Sequence, residues 1–458
     1  MKRIAIIGGG VSGLTAAYEL KLARKRGAAI DWHLYEASDR LGGIIETTRH
    51  STPEGEFILE GGPDGWVSEK PWARGLAIEL GLESELIYSN DATRKTYILI
   101  DGKLQPIPDR MRMMVPEDLS ALDHSPLFSA SAKQAYANEL ARADELKAKA
   151  PTHDESVASF VSRHFGDEVL NTLAAPLLSG VFGGDVHKLS VRAVMPQFVA
   201  MEREHGSLVA ALQARAQQGN KTSLPIFTSL RRGIESLTEA LIARLPGERV
   251  HLQHQFGQAA SSQFDHTVIA ASADNTRSLI CDVNPAVTKL LPTEASSAIL
   301  VAFAWPTDQA STFTVPSGFG FLVPQGSARN DQLLACTFVD QKFPNRAPNG
   351  ARILRAFFGG TSAESLSNQS DGFIASAALA QLREILGPIP EPSFHTVRRL
   401  PRSLPQYEVG HLERIAKLEE LVAQVPGLHL LGNSYRGVGI PDLIRDARAT
   451  ARAIAAAC

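Results

Sequence analysis

The stretch RIAIIGGGVSGLTAAYELKLARKRG, residues 3–27, changes character twice. Ile4-Ala5-Ile6-Ile7 is a short apolar run of the kind buried in a parallel sheet; glycines interrupt it, and apolar residues then recur at helical spacing. The following AIDWHLYEAS, residues 29–38, reads as a second strand ending at Glu36. Strand, Gly8-x-Gly10-x-x-Gly13, helix, strand and acid together make a βαβ dinucleotide site. Gly8 permits the tight turn, Gly10 lets a pyrophosphate lie against the backbone, and Gly13 lets helix and strand pack closely. Val11 and Ser12 open the helix whose N–H groups face the phosphates. Glu36, 23 residues beyond Gly13 and followed by Ala37, is placed to accept the ribose hydroxyls and would repel a 2′-phosphate.

Further glycine-rich turns extend this surface. ASDRLGGIIETT (37–48) carries Arg40 and the pair Gly42-Gly43, and FILEGGPDGW (57–66) runs from an apolar strand into Gly61-Gly62-Pro63-Asp64-Gly65. Near the end of the chain, LLGNSYRGVGIPDLIRDARATARAI (430–454) passes through Gly432, Gly437 and Gly439 into a long alanine-rich helix with Pro441 at its mouth. A nicotinamide dinucleotide does not usually need so extended a surface; a flavin dinucleotide does. Val438, Gly439 and Ile440 then sit where the positive end of a helix would meet the N1/C2 carbonyl edge of an isoalloxazine, which gains negative charge on reduction.

Composition sets limits on the rest. The chain has 458 residues, 44% apolar and 21% charged, enough for two or three domains with ordinary cores. A formal charge of −3 with no long basic block argues against nucleic acid as a partner. The three cysteines, Cys281, Cys336 and Cys458, form no CxxC, which fits a reducing cytoplasm and supports neither a disulfide framework nor a zinc site. Met1-Lys2-Arg3 leads straight into the first strand, too short a lead for a signal peptide, and no run is long and apolar enough to span a bilayer. Thirteen histidines form no ligand cluster, and neither a Ser-His-Asp arrangement, an HExxH nor a carboxylate pair stands out. No metal is expected, and no side chain is expected to act as a catalytic acid, base or nucleophile.

With GGGVSGLTAAYEL, EASDRLGGIIET, GGPD, DESVASFV, SGVFGGDVHKLSV, LPQYEVGH and GNSYRGVGIPD on the page, the chain resembles the FAD-dependent protoporphyrinogen/coproporphyrinogen III oxidases of haem biosynthesis over nearly its whole length. The first motif is shared with amine oxidases and phytoene desaturases; SGVFGGDVHKLSV, LPQYEVGH and GNSYRGVGIPD are more particular. The resemblance implies an α/β fold with a Rossmann-like FAD-binding domain (1–60, 225–290 and 410–458), a mixed-sheet substrate domain (61–104 and 291–409) and a helical domain of membrane-associated type (105–224). The residues agree in kind: SAKQAYANELARADELKAKA (131–150) has helical period, while SSAILVAFAW, GFGFLVP and LLACTFV, after residue 290, are strand-like.

The resemblance further implies a six-electron oxidation of porphyrinogen to porphyrin, two electrons at a time, with hydride passing from a bridging carbon to flavin N5, and molecular oxygen regenerating the flavin with release of hydrogen peroxide. It places Phe319, Gly320, Leu322, Thr337 and Phe357 in the macrocycle wall and Lys70, of WVSEKPW, at a propionate. Arg355 and Arg436 are secondary cation candidates. Protoporphyrinogen and coproporphyrinogen both remain open as substrate, as do a homodimer and peripheral membrane contact.

Two departures stand out. Phe256 occupies a position where the family commonly has a small β-branched residue beneath the adenine. No cysteine lies between residues 337 and 457, so a non-covalent flavin is expected. An amine oxidase or phytoene-desaturase-type enzyme would share the first motif, but an amine oxidase usually places two aromatic residues beside the flavin near the tail, where this chain offers only Tyr435. A non-catalytic flavin-fold binding protein would be expected to lose pyrophosphate glycines that are all present here.

Overall fold

The computed structural model describes residues 1–217, 224–257, 263–281, 284–325 and 332–458. Lys2–Ile7 is the central strand of a five-stranded sheet in the order Val250–His251, Ile30–Tyr35, Lys2–Ile7, His266–Ile269, Leu428–Leu430, with every pairing parallel. Ile4 and Ile6 are fully buried, which explains why this strand is a continuous apolar run. All five strands come from the three separated segments expected to make the dinucleotide domain.

The helix Val11–Lys25 packs against the terminal helix Ile440–Ala456. Ile444, Ala447, Ala451 and Ile454 form the buried stripe of the terminal helix, at the spacing one helical face requires, and Leu14, Ala17 and Leu20 belong to the same core. Small alanines let the two backbones approach. Arg448 and Arg452 close the rim on the buried Glu19, at 3.0 and 3.2 Å.

A second, seven-stranded sheet runs Phe394–Pro405, Ala295–Trp305, Arg352–Gly359, Ala335–Phe338, Gly320–Leu322, Thr96–Ile100, Lys103–Pro106. Its pairings are antiparallel except Gly320–Leu322 with Thr96–Ile100, so the sheet is mixed as expected. In Ala295–Trp305, Ile299, Val301 and Phe303 face a core shared with the helix Asp371–Leu386, while Ala298 and Leu300 face a cavity. That is the period of two expected of a strand with two occupied faces.

The third unit is helical, built mainly from Ala130–Ala141, Val157–Phe165, Ala175–Phe182, Pro196–His205 and Leu208–Gln217, with a π-helical turn at Leu170–Ala174. Ser156 caps the helix of the DESVASFV segment by accepting from Ser159 N at 3.1 Å. Among the described residues no helix is long and apolar enough to cross a membrane. The boundary expected at 224/225 adjoins residues 218–223, which lie outside the described residues.

A charged cluster is buried inside this unit. His164 Nδ1 is 2.9 Å from Glu139 Oε1 and its Nε2 is 3.3 Å from Glu202 Oε1, while Ser207 Oγ donates to Glu139 at 2.6 Å. Burial opposes charge on the imidazole, but the two carboxylates outweigh it and raise its pKa. The stability this gives is present below the usual imidazole pKa and is lost as the pH rises through the raised one. His164→Gln should therefore destabilise the protein by about 1.5–3 kcal/mol at about pH 6. The gap from wild type should narrow by about pH 9, read as the difference in thermal midpoint.

Candidate active site

Between the first strand and its helix, Gly8 has φ +107°, and a Cβ there would lie 2.4 Å from Ala270 O. A Cβ on Gly13 would lie 1.9 Å from Gly8 O, so helix and turn touch through the missing side chain. At Gly10 a Cβ would meet nothing within 4 Å: it would project into open space at the start of the helix Val11–Lys25, which has no side-chain cap. This is a cradle for an anionic group, with the unpaired N–H groups of a first helical turn pointing into it. Gly42 N donates to Gly9 O at 2.9 Å, bringing the second glycine pair alongside the first. Glu36 accepts from Gly9 N at 2.6 Å through one oxygen and from Ser38 through the other, which fixes its carboxylate at the cavity wall.

The cavity over this turn has a volume of about 720 Å³, and Gly8, Gly10, Val11, Ser12, Glu36, Ala37, Gly42, Gly43 and Gly432 all line it. So does Phe256, whose ring packs on Tyr35 with centroids 5.2 Å apart. A second cavity of about 390 Å³ continues from the first, sharing Val11, Ile44, Ile45, Ser403, Asn433 and Leu443. Gly62, Pro63, Asp64, Lys70, Phe357, Val438, Gly439 and Ile440 line this inner chamber. The two helix starts at Gly10 and Gly439 thus open on one continuous space.

The chamber is largely apolar, and its charged wall residues are paired. Lys70 Nζ is 2.5 Å from Asp442 Oδ2, in the first turn of the terminal helix, and Arg445 is 3.1 Å from the other oxygen. Lys342 Nζ is 3.0 and 2.9 Å from the two oxygens of Asp64, and Arg355 Nη1 is 3.4 Å from Oδ2. Burial works against charge on Asp64, but Lys342 and Arg355 outweigh it and hold its pKa at about 2. Arg355 also donates to Gly62 O, so the GGPD turn is tied to the large sheet.

The family model described as flavin containing amine oxidoreductase matches residues 11–455. The chain belongs to this family. Coproporphyrinogen III oxidase of Bacillus subtilis (strain 168) is 33% identical, with 98% of this chain and 97% of the relative covered. Protoporphyrinogen oxidase of Bos taurus is 30% identical, covering 98% of each chain. A solved structure described as a putative protoporphyrinogen oxidase from Exiguobacterium sp. 255-15 superposes with a TM-score of 0.83 at 30% identity, over 100% of this chain and 99% of that one. Within the amine oxidoreductase family the chain is a coproporphyrinogen/protoporphyrinogen oxidase homologue and an FAD-dependent oxidoreductase. The open cradle at Gly10, the uncapped helix and the fixed Glu36 fit the dinucleotide half of that cofactor.

Some expected contacts of the oxidoreductase fall elsewhere. Arg40 does not line either cavity; it donates to Gly43 O at 2.9 Å and Ile45 O at 2.8 Å and pairs with Glu235, so it braces the turn from behind. Phe319, Gly320, Leu322 and Thr337 are not chamber walls either. Leu322 packs toward Gly180, which is a wall residue, while a Cβ on Gly320 would lie 2.0 Å from Cys336 O. Arg436 pairs with Glu419 and is more than half exposed. None of Cys281, Cys336 and Cys458 is in a disulfide, and none of them lines either cavity.

LPQYEVGH was visible as a motif, but its residues carried no assigned role. Tyr407 is buried; its hydroxyl donates to Asn433 O at 2.6 Å and accepts from Gly437 N at 2.9 Å, clamping the loop that leads into the terminal helix. Its ring stacks on His411, centroids 4.0 Å apart, and His411 Nε2 lies 2.8 Å from Tyr435 O. Burial lowers the His411 pKa, so the ring is neutral and its Nε2–H can donate there. Tyr407→Phe strips a donor and an acceptor from two half-buried backbone groups, at a cost of about 1–3 kcal/mol. FAD retention should weaken by roughly tenfold or more, read by equilibrium dialysis of the holoprotein alongside its thermal midpoint.

Proposed function

We propose that the chain oxidises coproporphyrinogen III to coproporphyrin III, with non-covalent FAD as electron acceptor and molecular oxygen as terminal oxidant. The observation that carries this reading is an apolar chamber, continuous with the dinucleotide cavity, whose only charged wall residues among those described are Asp64, Lys70, Lys342 and Asp442. A porphyrinogen is an apolar macrocycle with carboxylates on its rim, and such walls suit it without any catalytic acid or base. Bound FAD supplies a two-electron acceptor that oxygen regenerates with release of hydrogen peroxide, so three rounds complete the six-electron change.

The chain's own contribution is placement and electrostatics. Ala298, Leu300, Leu334, Phe357, Leu400 and Leu404 exclude water and support the macrocycle. Lys70, half exposed and shared with Asp442, can exchange that partner for a substrate carboxylate. The N–H groups of the terminal helix's first turn present a positive end toward the chamber, worth about 0.3–2 kcal/mol to a developing negative charge. Arg112 and Arg215, 3.9 and 4.0 Å from Glu69 beside Lys70, add positive charge near the same wall and support a substrate richer in carboxylates over protoporphyrinogen IX.

An aerobic assay on both porphyrinogens, following porphyrin fluorescence and peroxide, tests this reading. Turnover well above spontaneous oxidation is expected, with the larger kcat/KM for coproporphyrinogen III. Lys70→Met should raise KM roughly 10- to 100-fold, the worth of one charge-assisted hydrogen bond, while kcat changes less.

A further inference from the structure

Lys70 and Lys342 are the two cations on the chamber wall, and their settings differ. The side chain of Lys70 is 47% exposed, that of Lys342 only 12%. Lys342 stands over the rings of Phe227 and Phe343, at 4.8 and 5.1 Å from their centroids, with its ammonium held by both oxygens of Asp64. An ammonium has three donors, and a carboxylate gripped in this way occupies two of them.

The charges around this point do not balance. Lys342, Arg355 and Arg346 contribute three positive charges, Asp64 and Glu60 two negative ones, and Arg346 lies 3.2 Å from Glu60 with no exposed surface. Asp340, on the same short helix as Lys342, offers no compensation, since it accepts from Ile353 N at 3.0 Å and faces Arg352 at 3.8 Å. Nε and Nη1 of Arg346 and Nε of Arg355 are buried without hydrogen-bond partners. A surplus positive charge in a dry wall is costly unless an anion arrives to meet it.

We propose that Lys342 is a second carboxylate anchor, set inside the chamber, and that it makes the site select a porphyrinogen with carboxylates on all four rings. This rests on the porphyrinogen reading above and deepens it. Protoporphyrinogen carries carboxylates on two neighbouring rings only. Once those occupy Lys70 at the edge, apolar vinyl groups face Lys342, and the surplus positive charge of the Lys342, Arg355 and Arg346 group goes unmet. Coproporphyrinogen brings a carboxylate to each end of the chamber. The preference is therefore built from attraction to one substrate and from an uncompensated buried charge against the other.

The test compares wild type, Lys342→Met and Lys342→Arg as FAD-loaded full-length proteins. Steady-state kcat/KM is measured on both porphyrinogens, and equilibrium affinity for coproporphyrin and protoporphyrin by fluorescence titration. In Lys342→Met, kcat/KM for coproporphyrinogen and affinity for coproporphyrin should both fall roughly 10- to 100-fold, and by a clearly larger factor than the protoporphyrin values. Lys342→Arg keeps the charge and should keep most of the preference, whereas a merely structural role for the lysine would make Lys342→Met lose equally on both substrates. Equal losses on both substrates, an unchanged ratio, or a wild type that prefers protoporphyrinogen would each overturn the assignment. If Lys342→Met does not fold, loss of the preference in Lys342→Arg alone overturns it, and its retention supports it. A wild type that oxidises neither compound removes the porphyrinogen reading itself, and this proposal with it.

Discussion

Two helix N-termini open on one space, and the rest of the architecture follows from keeping them there. Val11–Lys25 and Ile440–Ala456 pack side by side, and both begin at the wall of the continuous cavity. Two positive dipole ends brought together repel each other, so the packing must supply what electrostatics withholds. It does so through the buried stripe from Ile444 to Ile454 and the small residues opposite, with Arg448 and Arg452 closing on Glu19 at the rim. A dinucleotide with a negative pyrophosphate at one helix start and a ring that gains negative charge at the other turns the same repulsion into binding energy.

The chamber uses polarity sparingly. Its walls come from the large sheet, the GGPD turn and the terminal helix, and each charged wall residue is answered by another. Both wall pairs link distant parts of the chain: Lys70 to Asp442, and Lys342 to Asp64. They therefore set the shape of the chamber as well as its charge. Replacing a lysine with an apolar residue of similar length would leave its buried carboxylate to a single remaining cation, Arg445 for Asp442 and Arg355 for Asp64, a larger perturbation than the loss of a positive charge alone.

The parts of the site legible in the sequence are those that one short segment builds by itself. Gly8, Gly10 and Gly13 belong to one turn and the helix directly after it, and Gly439 and Ile440 to one helix start, so spacing alone marks them as candidates. Asp64 and Lys342 are 278 residues apart, and FVDQKFPN carries no pattern that marks its lysine. Of the expected macrocycle wall only Phe357 lines the chamber, and the reason lies in the strands. Alternation along GFGFLVP predicts two faces without saying which one meets the substrate, and the structure sends Phe321 to the core with Phe338 while Gly320 presses against the backbone of the next strand. Arg40 was identified as functional by its neighbours, yet its hydrogen bonds point backward into the turn.

The motifs that made the family resemblance particular turn out to touch one another. Ser190 N donates to Tyr407 O at 2.7 Å, Val409 N to Lys188 O at 2.9 Å, and Gln406 Nε2 to Phe182 O at 2.8 Å, so SGVFGGDVHKLSV lies along LPQYEVGH. A Cβ on Gly184 would fall 1.7 Å from the Gln406 amide oxygen, so a larger residue there would have to displace the Gln406 side chain from this contact. Tyr407 then carries the connection on to Asn433 and Gly437 in GNSYRGVGIPD. The three segments form one hydrogen-bonded path from the helical unit, through the edge of the substrate sheet, to the start of the terminal helix. A displacement of the helical unit would therefore act on the same backbone that aims this helix at the chamber. Substituting Gln406 or Tyr407 would strip that strut of its side-chain links, leaving Phe182 O, Asn433 O and Gly437 N without those partners.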